Sequence, residues 1–188
     1  GELETAGLIE SFEAQPFEPC PGLSVSTLRL QHDRQGTIGY RIDAYGGRAG
    51  AIGYATDLGH APPRLIDHFA GVDLLCIEAN YDERMTMTSS RPVWVNRRNL
   101  SDSGHLSNEQ AFDAVRAIAA RSPAGRPQRI LLMHRSSQCN HPTKLRRVFE
   151  RDASLAKRIT LTEQRKRTRW FQAQPVRPAE QAQMQWAF

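Results

Sequence analysis

The sequence predicts an α/β domain in which helices cover a parallel or mixed β-sheet. Its 188 residues, 39% of them hydrophobic, suffice for one substantial core but not comfortably for two. The first third of the chain has the alternation of hairpin strands, and the rest changes to strands and helices in turn. A repeated order of strand and helix is typical of a sheet flanked by helices.

The first strands are predicted from alternation and turn residues. The polar, proline-spaced stretch 1–22 is expected to be a connector or a partial element. Leu23–Leu30 alternates apolar and polar residues, which predicts a half-buried strand. A second strand, 37–43, should follow a turn at Gly36, and a third, 49–55, should complete a hairpin.

The change to helices begins at two adjacent prolines. Pro62-Pro63 can open a helix that Gly71 ends, because proline suits a first helical turn and glycine suits the end of a helix. The apolar stretch 72–77 then predicts a buried strand. We expect an irregular passage after it.

Two further helices are predicted in the second half of the chain. Ser107 and Gln110 match a capping box, so a helix should begin there. Arg129–Met133 predicts another buried strand. Pro142 should open the last helix, with Leu155 still on its buried side.

Composition limits the class of protein. The predicted elements form one partial domain, 23–172, and the Gln-, Ala- and Pro-rich stretch 173–188 is expected to be a tail. No apolar run approaches the roughly 20 residues of a membrane helix, and 1–4 is acidic, so we expect a soluble protein without membrane contact. Three scattered cysteines favour a reducing cytoplasm. Because the chain starts with Gly, we expect an N-terminal part to be missing.

Positive charge is concentrated near the C-terminus. Between Lys144 and Arg169 there are ten basic and three acidic residues, a net +7, which leaves −2 for the rest of the chain. Such a segment suits a polyanion, although a solvated helix face with a charged tail is the plainer interpretation. For Trp94 and Trp170, packing is expected rather than stacking on a base. The predicted nucleic-acid contacts are Arg146, Arg147, Arg165, Lys166 and Arg167.

Ionisable residues stand at the ends of four predicted strands. These residues are His32, Asp57, Glu78 and His134. Ligands gather beyond the carboxyl ends of strands in such sheets, so the four side chains are expected to converge on one edge. Two imidazoles and a carboxylate suit Zn²⁺ or a similar ion, which can lower the pKa of bound water to about 7.

His105 differs from these four residues. It lies two residues before Ser107, where the start of a helix disfavours a protonated imidazole. A carboxylate such as Glu78 would oppose that effect and fix the tautomer. The pair would then be a suitable proton donor to a leaving oxygen.

Each of these residues has a plainer interpretation. Asp57 fits an Asx turn, His134 could be a buried histidine bonded to a backbone carbonyl, Glu78 could pair with a nearby arginine, and His105 could simply precede a helix. One shared site explains all four positions together. Structural roles are expected for the remaining candidates, His60, His68, Cys139 and His141.

Five short motifs follow one another along the chain. They are HD at 32–33, ATDLG at 55–59, LLCIEANYDERM at 74–85, GHLSN at 104–108 and LLMHRSSQCN at 131–140. In this order they resemble the metallo-β-lactamase fold and, within it, the YycJ/WalJ branch of exodeoxyribonucleases related to tRNase Z. The resemblance covers about 23–159, and the combination is more specific than any single motif. It implies an αββα sandwich, here truncated at its N-terminus.

The resemblance also implies roles for individual residues. His32 becomes a histidine ligand, Asp57 the bridging carboxylate and His134 a ligand of the second metal in a two-zinc site, with Mn²⁺ as the alternative. His105 matches the proton donor of the tRNase Z relatives, and Glu78 matches an acidic residue of catalysis. The family's HxHxDH motif is absent from these 188 residues, so the chain is expected to correspond to a C-terminal half that lacks, or is complemented by, another half.

Three functions follow as hypotheses. The leading one is a metal-dependent phosphodiesterase or nuclease, in which metal-bound hydroxide attacks phosphorus in nucleic acid. The second is a hydrolase of the same fold that acts on a small ester, thioester or lactone. The third is a non-catalytic half-domain or fragment. Steep salt dependence would separate the first from the second, and the oligomeric state is left open.

Overall fold

A seven-stranded mixed sheet forms the centre of the computed structural model, which describes Thr5, residues 15–45 and residues 50–173. The strands stand in sequence order across the sheet. They are β1 Phe17–Cys20, β2 Leu23–Leu30, β3 Thr37–Ala44, β4 Gly50–Ala55, β5 Leu74–Glu78, β6 Arg129–Met133 and β7 Ile159–Leu161.

Six helices are present in the described part of the chain. They are α1 Pro63–His68, α2 Glu83–Met87, α3 Val93–Asn99, α4 Asn108–Arg121, α5 Pro142–Phe149 and α6 Ala153–Ala156. None of them is long and apolar enough to span a bilayer.

Strand direction brings most strand ends to one edge of the sheet. Strands β1 to β4 pair antiparallel, and β4 to β7 pair parallel. Strand β2 therefore runs in the same direction as β4, β5, β6 and β7. The edge at which these five strands end is called the carboxyl edge below.

One face of the sheet is covered by the main apolar core. Alternate residues of β5 and β6, such as Leu75, Ile77 and Leu132, face this layer and are almost fully buried. They pack against Phe69 after α1 and Phe149 on α5, which are both 0% exposed. Burying one such side chain contributes about 1.5–3 kcal/mol, so this layer fixes the helices on the sheet.

The opposite face carries a smaller apolar cluster. Leu74, Cys76 and Leu131 form it, and the chain after β7 covers them with Phe171 and Ala173. Burial raises the pKa of the Cys76 thiol to about 12. All three cysteines are free thiols, and only Cys20 is exposed.

The predicted fold class is confirmed, and two strands have the predicted bounds. The sheet is mixed and α/β, and β2 and β6 lie where alternation and apolar runs placed them. The capping box of Ser107 and Gln110 is also present at the start of α4. Residues 46–49, which join the predicted hairpin strands 37–43 and 49–55, and the predicted tail from 174 onward lie outside the described residues.

Six elements differ from the sequence expectations. Strand β1 lies inside the stretch 1–22 that was expected to be a connector or partial element, so the sheet starts before Leu23. Helices α2 and α3 occupy the passage expected to be irregular. The last predicted helix ends at Phe149, α6 follows as a separate turn that buries Leu155, and β7 was not predicted.

Candidate metal centre

Five ionisable side chains converge at the carboxyl edge, as the strand directions require. His32 follows β2, Asp57 follows β4, Glu78 ends β5 and His134 follows β6. His105 joins them from the loop that precedes α4. The predicted convergence on one edge is therefore present in the structure.

Glu78 is the centre of the cluster and is 0% exposed. Its Oε1 accepts hydrogen bonds from Nδ1 of His105 at 2.8 Å and from Nδ1 of His134 at 2.7 Å. Its Oε2 accepts from the backbone N–H of Leu58 at 2.7 Å and of Leu106 at 3.4 Å. Both carboxylate oxygens are thus used to hold neighbouring groups, which makes Glu78 a positioning residue.

The hydrogen bonds fix the tautomers of three histidines. Carboxylate and carbonyl oxygens can only accept, so the Nδ1 atoms of His105 and His134 donate to Glu78. His32 donates in the same way from Nδ1 to the carbonyl of Gly104 at 2.8 Å. All three imidazoles therefore keep Nε2 for another partner, as metal-binding histidines do when a carboxylate or carbonyl holds the other nitrogen.

Asp57 faces all three imidazoles. Its Oδ1 lies 3.8 Å from Nε2 of His32, 3.9 Å from Nδ1 of His105 and 3.6 Å from Nδ1 of His134. The side chain is 39% exposed, in contrast to Glu78. Asp57 is thus an ionisable oxygen donor that solvent and ligands can reach.

Backbone strain accompanies two of the site residues. Asp57 has φ +59° and His134 has φ +53°, the positive-φ non-glycine residues in the described part of the chain. Such left-handed conformations cost on the order of 1 kcal/mol and occur where the surroundings hold a side chain in a particular direction.

Three buried asparagines hold the strained His134. Asn80 donates from Nδ2 to the carbonyl of His134 at 2.7 Å. Asn140 donates to the carbonyls of Asn80 at 3.0 Å and Ala79 at 3.2 Å, and it exchanges side-chain hydrogen bonds with Asn108. This asparagine cluster, Asn80, Asn108 and Asn140, joins the loops after β5 and β6 to the start of α4.

Close backbone packing joins the loops that carry Asp57 and His105. A Cβ at Gly59 would overlap the backbone of Asp102. A Cβ at Gly104 would overlap the carbonyls of Arg98 and Asn99. Only glycine fits at these two contacts, which explains the single glycine in each of the ATDLG and GHLSN motifs.

The electrostatics favour a cation among the imidazoles. Burial would raise the pKa of Glu78, but hydrogen bonds from His105, His134 and the Leu58 N–H outweigh it and hold the pKa below its ordinary value of 4.5. The hydrogen bond to Glu78 raises the pKa of His134 above 6.5 against the opposing effect of burial, and the charge of Asp57 acts in the same direction. Positive charge next to Glu78, from a proton on His134 or from a bound cation, is therefore stabilised.

The donor set fits a divalent metal ion. One ligand atom from each of Asp57, Glu78, His105 and His134 lies within 4.8 Å of the others. Imidazole nitrogen and carboxylate oxygen are the donors that Zn²⁺ accepts, and Mn²⁺ accepts them as well. Because Glu78 is buried and fully bonded, the accessible donors are the Asp57 carboxylate and the Nε2 atoms.

The structure does not agree with the plainer interpretations of Glu78 and His134. Glu78 pairs with two imidazoles rather than with an arginine, and His134 bonds to a carboxylate rather than to a backbone carbonyl. His141 accepts from the backbone N–H of Thr143 as the N-cap of α5, which is a structural role. His68 packs on Phe69, and burial lowers its pKa.

The predicted nucleic-acid contacts lie on two separate parts of the molecule. Arg146 and Arg147 are exposed on α5, which packs on the main core. Arg165, Lys166 and Arg167 are exposed in the chain after β7, which ends on the opposite face. The basic residues therefore do not form one continuous helix face.

The expectation that the two tryptophans pack is wrong, because Trp94 is 69% and Trp170 99% exposed.

Sequence reasoning did not find the asparagine cluster. Asn80 and Asn140 each lie in a motif singled out for another residue, in EAN and in QCN. For Asn80, a polar side chain two residues after a buried strand was the available signal, because a buried amide must find partners. The backbone contacts of Glu78 with Leu58 and Leu106 left no signal in the sequence.

The family of the chain follows from a match to a known domain. The model of the beta-lactamase superfamily domain matches residues 4–134. The chain belongs to this superfamily. The resemblance to the metallo-β-lactamase fold that the five motifs predicted is thereby confirmed.

Part of the chain is similar to two curated proteins. Two proteins named exodeoxyribonuclease WalJ, from two strains of Streptococcus pneumoniae, are 34% identical to the chain over 85 residues. This match covers 45% of the chain and 30% of each relative. The chain thus spans less than a third of the length of these relatives.

Solved structures agree on the fold. The metallo-β-lactamase fold protein YhfI from Bacillus subtilis superposes with a TM-score of 0.53 over 82% of the chain and 52% of that protein, at 18% identity. Zn(2+)-bound PqqB from Methylobacterium extorquens gives 0.52 over 80% of the chain and 51% of that protein, also at 18% identity. The chain therefore spans about half of each, and at this identity the likeness extends to the fold alone.

Proposed function

We propose that this β-lactamase superfamily chain binds a divalent metal ion and hydrolyses phosphodiester bonds in nucleic acid. The observation that carries the proposal is the buried Glu78 carboxylate, which holds His105 and His134 by Nδ1 within 3.9 Å of the Asp57 carboxylate and leaves Nε2 of both rings without a bond to Glu78. The curated relatives named exodeoxyribonuclease support the choice of substrate.

The proposed ligands are His32, Asp57 and His134, with Zn²⁺ as the ion and Mn²⁺ as the alternative. When bound, such an ion lowers the pKa of a coordinated water and neutralises charge on a phosphoryl group. Because a two-metal site needs more ligands than these three, and the HxHxDH motif is absent from the sequence, the proposal includes further donors from another segment or chain.

His105 is proposed to donate a proton to the departing oxygen. Its Nδ1 is tied to Glu78, so Nε2 is the nitrogen that can carry a transferable proton. Glu78 would keep the ring in place through this hydrogen bond, as a buried carboxylate does for a general acid. Its role is then one of orientation rather than of contact with substrate.

The basic residues are proposed to hold the phosphate backbone. Arg146 and Arg147 on α5, together with Arg165, Lys166 and Arg167 after β7, are exposed and can neutralise phosphates without reading bases. The three free thiols favour a reducing compartment, and we include the cytoplasm in the proposal.

End-labelled DNA and RNA incubated with Zn²⁺ or Mn²⁺ test this function. With a partner chain that carries HxHxDH added, we expect hydrolysis that EDTA abolishes and metal restores. His105→Ala should lower turnover about 100-fold, as loss of a general acid does, while the metal content stays unchanged. His141→Asn, which keeps a capping side chain on α5, is the matched control and should be as active as wild type.

Other outcomes would contradict the proposal. Hydrolysis of a small ester, thioester or lactone without cleavage of nucleic acid would assign the site to a different substrate class. Bound metal without any hydrolysis, even with an added partner chain that carries HxHxDH, would indicate a non-catalytic domain.

A further inference from the structure

The chain after β7, here called the 162–173 segment, crosses the sheet from the carboxyl edge to the opposite end of β6. Thr162 donates from its backbone N–H to the carbonyl of Leu132 at 3.0 Å. Gln164 donates from Nε2 to the carbonyl of Arg135, the residue after His134, at 3.3 Å. Phe171 then packs on the small apolar cluster of the second face. The segment is therefore anchored at both ends, and it starts beside the candidate metal centre.

Cationic side chains occupy the stretch between these anchors. Arg165, Lys166, Arg167 and Arg169 are all exposed. The single acid in the segment, Glu163, pairs with Lys166 at 2.8 Å. The segment thus carries a net charge of +3 on a surface open to a polyanion.

A groove with aromatic and cationic walls lies at the far end of the segment. The guanidinium groups of Arg129 and Arg169 lie 5.9 Å and 5.3 Å from the ring centre of Phe171. The indole of Trp170 next to them is 99% exposed. The groove has a volume of about 310 Å³ and is lined by Gln128, Arg129, Arg169, Trp170, Phe171 and Gln172.

This combination fits a nucleotide of an unpaired strand. An indole stacks on the face of any base, and that face is accessible only where the base is not stacked in a duplex. Guanidinium groups beside it can neutralise the adjoining phosphates. From Arg129 to His134 the distance along β6 is about 16 Å at ~3.3 Å per residue, so one strand can reach both the groove and the metal centre.

We propose that the 162–173 segment binds single-stranded nucleic acid, with Trp170 stacking on a base and Arg129 and Arg169 contacting its phosphates. This inference rests on the proposed function and deepens it, because it names the form of the substrate and the path by which a strand reaches the carboxyl edge. It assigns a task to an aromatic side chain that otherwise exposes nearly all of its apolar surface to water.

Binding of a fluorescent oligothymidylate, measured by anisotropy in EDTA, tests the inference without any need for metal or turnover. We expect Trp170→Ala to weaken binding about tenfold, in line with the loss of one stacked base, and Trp170→Phe to retain most of the affinity. Trp94→Ala removes another exposed tryptophan, on α3, and should leave affinity unchanged.

The phosphate contacts are tested by the salt dependence of the same binding. Arg129→Gln and Arg169→Gln should each reduce the slope of log K against log salt by about 0.7, the value for one phosphate of a single strand. Equal affinities for wild type and Trp170→Ala, equal losses for Trp170→Ala and Trp94→Ala, or tighter binding of a duplex than of the single strand would overturn the inference.

The two proposals fail in different ways. Single-strand binding that depends on Trp170, without hydrolysis in the presence of metal, would leave this inference standing and remove the proposed function. If the protein hydrolyses nucleic acid but Trp170→Ala binds the single strand as tightly as wild type, the proposed function stands and this inference is removed.

Discussion

The side chain that organises the site is Glu78, although it is the one least accessible to a ligand. A buried carboxylate is costly unless its oxygens are bonded. Here two imidazoles and two backbone N–H groups satisfy both oxygens. Glu78 therefore orders the groups around it, and the partly exposed Asp57 is left as the proposed oxygen ligand.

The prediction at this scale concerns Glu78→Gln in metal-free protein. An amide cannot accept from all of these donors, so at least one buried group loses its partner, at a cost of about 3 kcal/mol in the free energy of unfolding near pH 6. Urea denaturation of wild type and Glu78→Gln in EDTA measures this difference in the free energy of unfolding. A variant as stable as wild type would contradict the buried network.

The pH dependence of that difference has a definite sign. The lowered pKa of Glu78 gives stability above about pH 4.5 that is lost as pH falls through the lowered value. The raised pKa of His134 gives stability below about pH 6.5 that is lost as pH rises through the raised value. The free energy of unfolding of wild type should thus exceed that of Glu78→Gln most between these two pH limits. A difference that stays constant from pH 4 to 8 would contradict this linkage.

At the scale of elements, the sequence predicted what local chemistry determines. The capping box of α4 and the strand Arg129–Met133 were found because each depends on residues close together in the chain. Helices α2 and α3 have 5 and 7 residues and bury at most one side chain, so no apolar period indicated them. Strand β7 has only three residues and depends on pairing with β6.

The site was predictable in its residues but not in its bonding. Strand ends and the order of motifs placed His32, Asp57, Glu78, His105 and His134 together. Which of these is buried, and which nitrogen of each imidazole is free, depends on contacts between loops far apart in sequence. The asparagine cluster is the clearest case, since Asn80 and Asn140 are 60 residues apart.

The prediction at the scale of elements concerns the loop that carries His134. Asn80→Ala removes the donor to the carbonyl of a residue in a left-handed conformation. We expect the affinity for Zn²⁺ to fall about tenfold, because outer partners of metal ligands contribute 10–100-fold. Isothermal titration calorimetry measures it.

The matched control for this loop is Asn96→Ala. Asn96 lies on α3 and accepts a hydrogen bond from Ser89, not from a residue of the candidate metal centre. Loss of its side chain should leave the affinity for Zn²⁺ unchanged. If the two variants bind Zn²⁺ equally well, the asparagine cluster does not position His134.

For the whole molecule, one sheet edge collects the chemistry because five strands end there. The antiparallel strands β1 and β3 reverse the chain so that β2 shares the direction of β4 to β7. The helix layer buries one face of the sheet, and the 162–173 segment covers part of the other. The basic 162–173 segment therefore starts directly beside the candidate metal centre.

Metal analysis of purified protein tests the central claim most directly. After equilibration with Zn²⁺ and removal of free ion, we predict that wild type and His141→Asn retain the metal, whereas Asp57→Ala and His134→Ala lose most of it. Equal metal content in all four proteins would contradict the account.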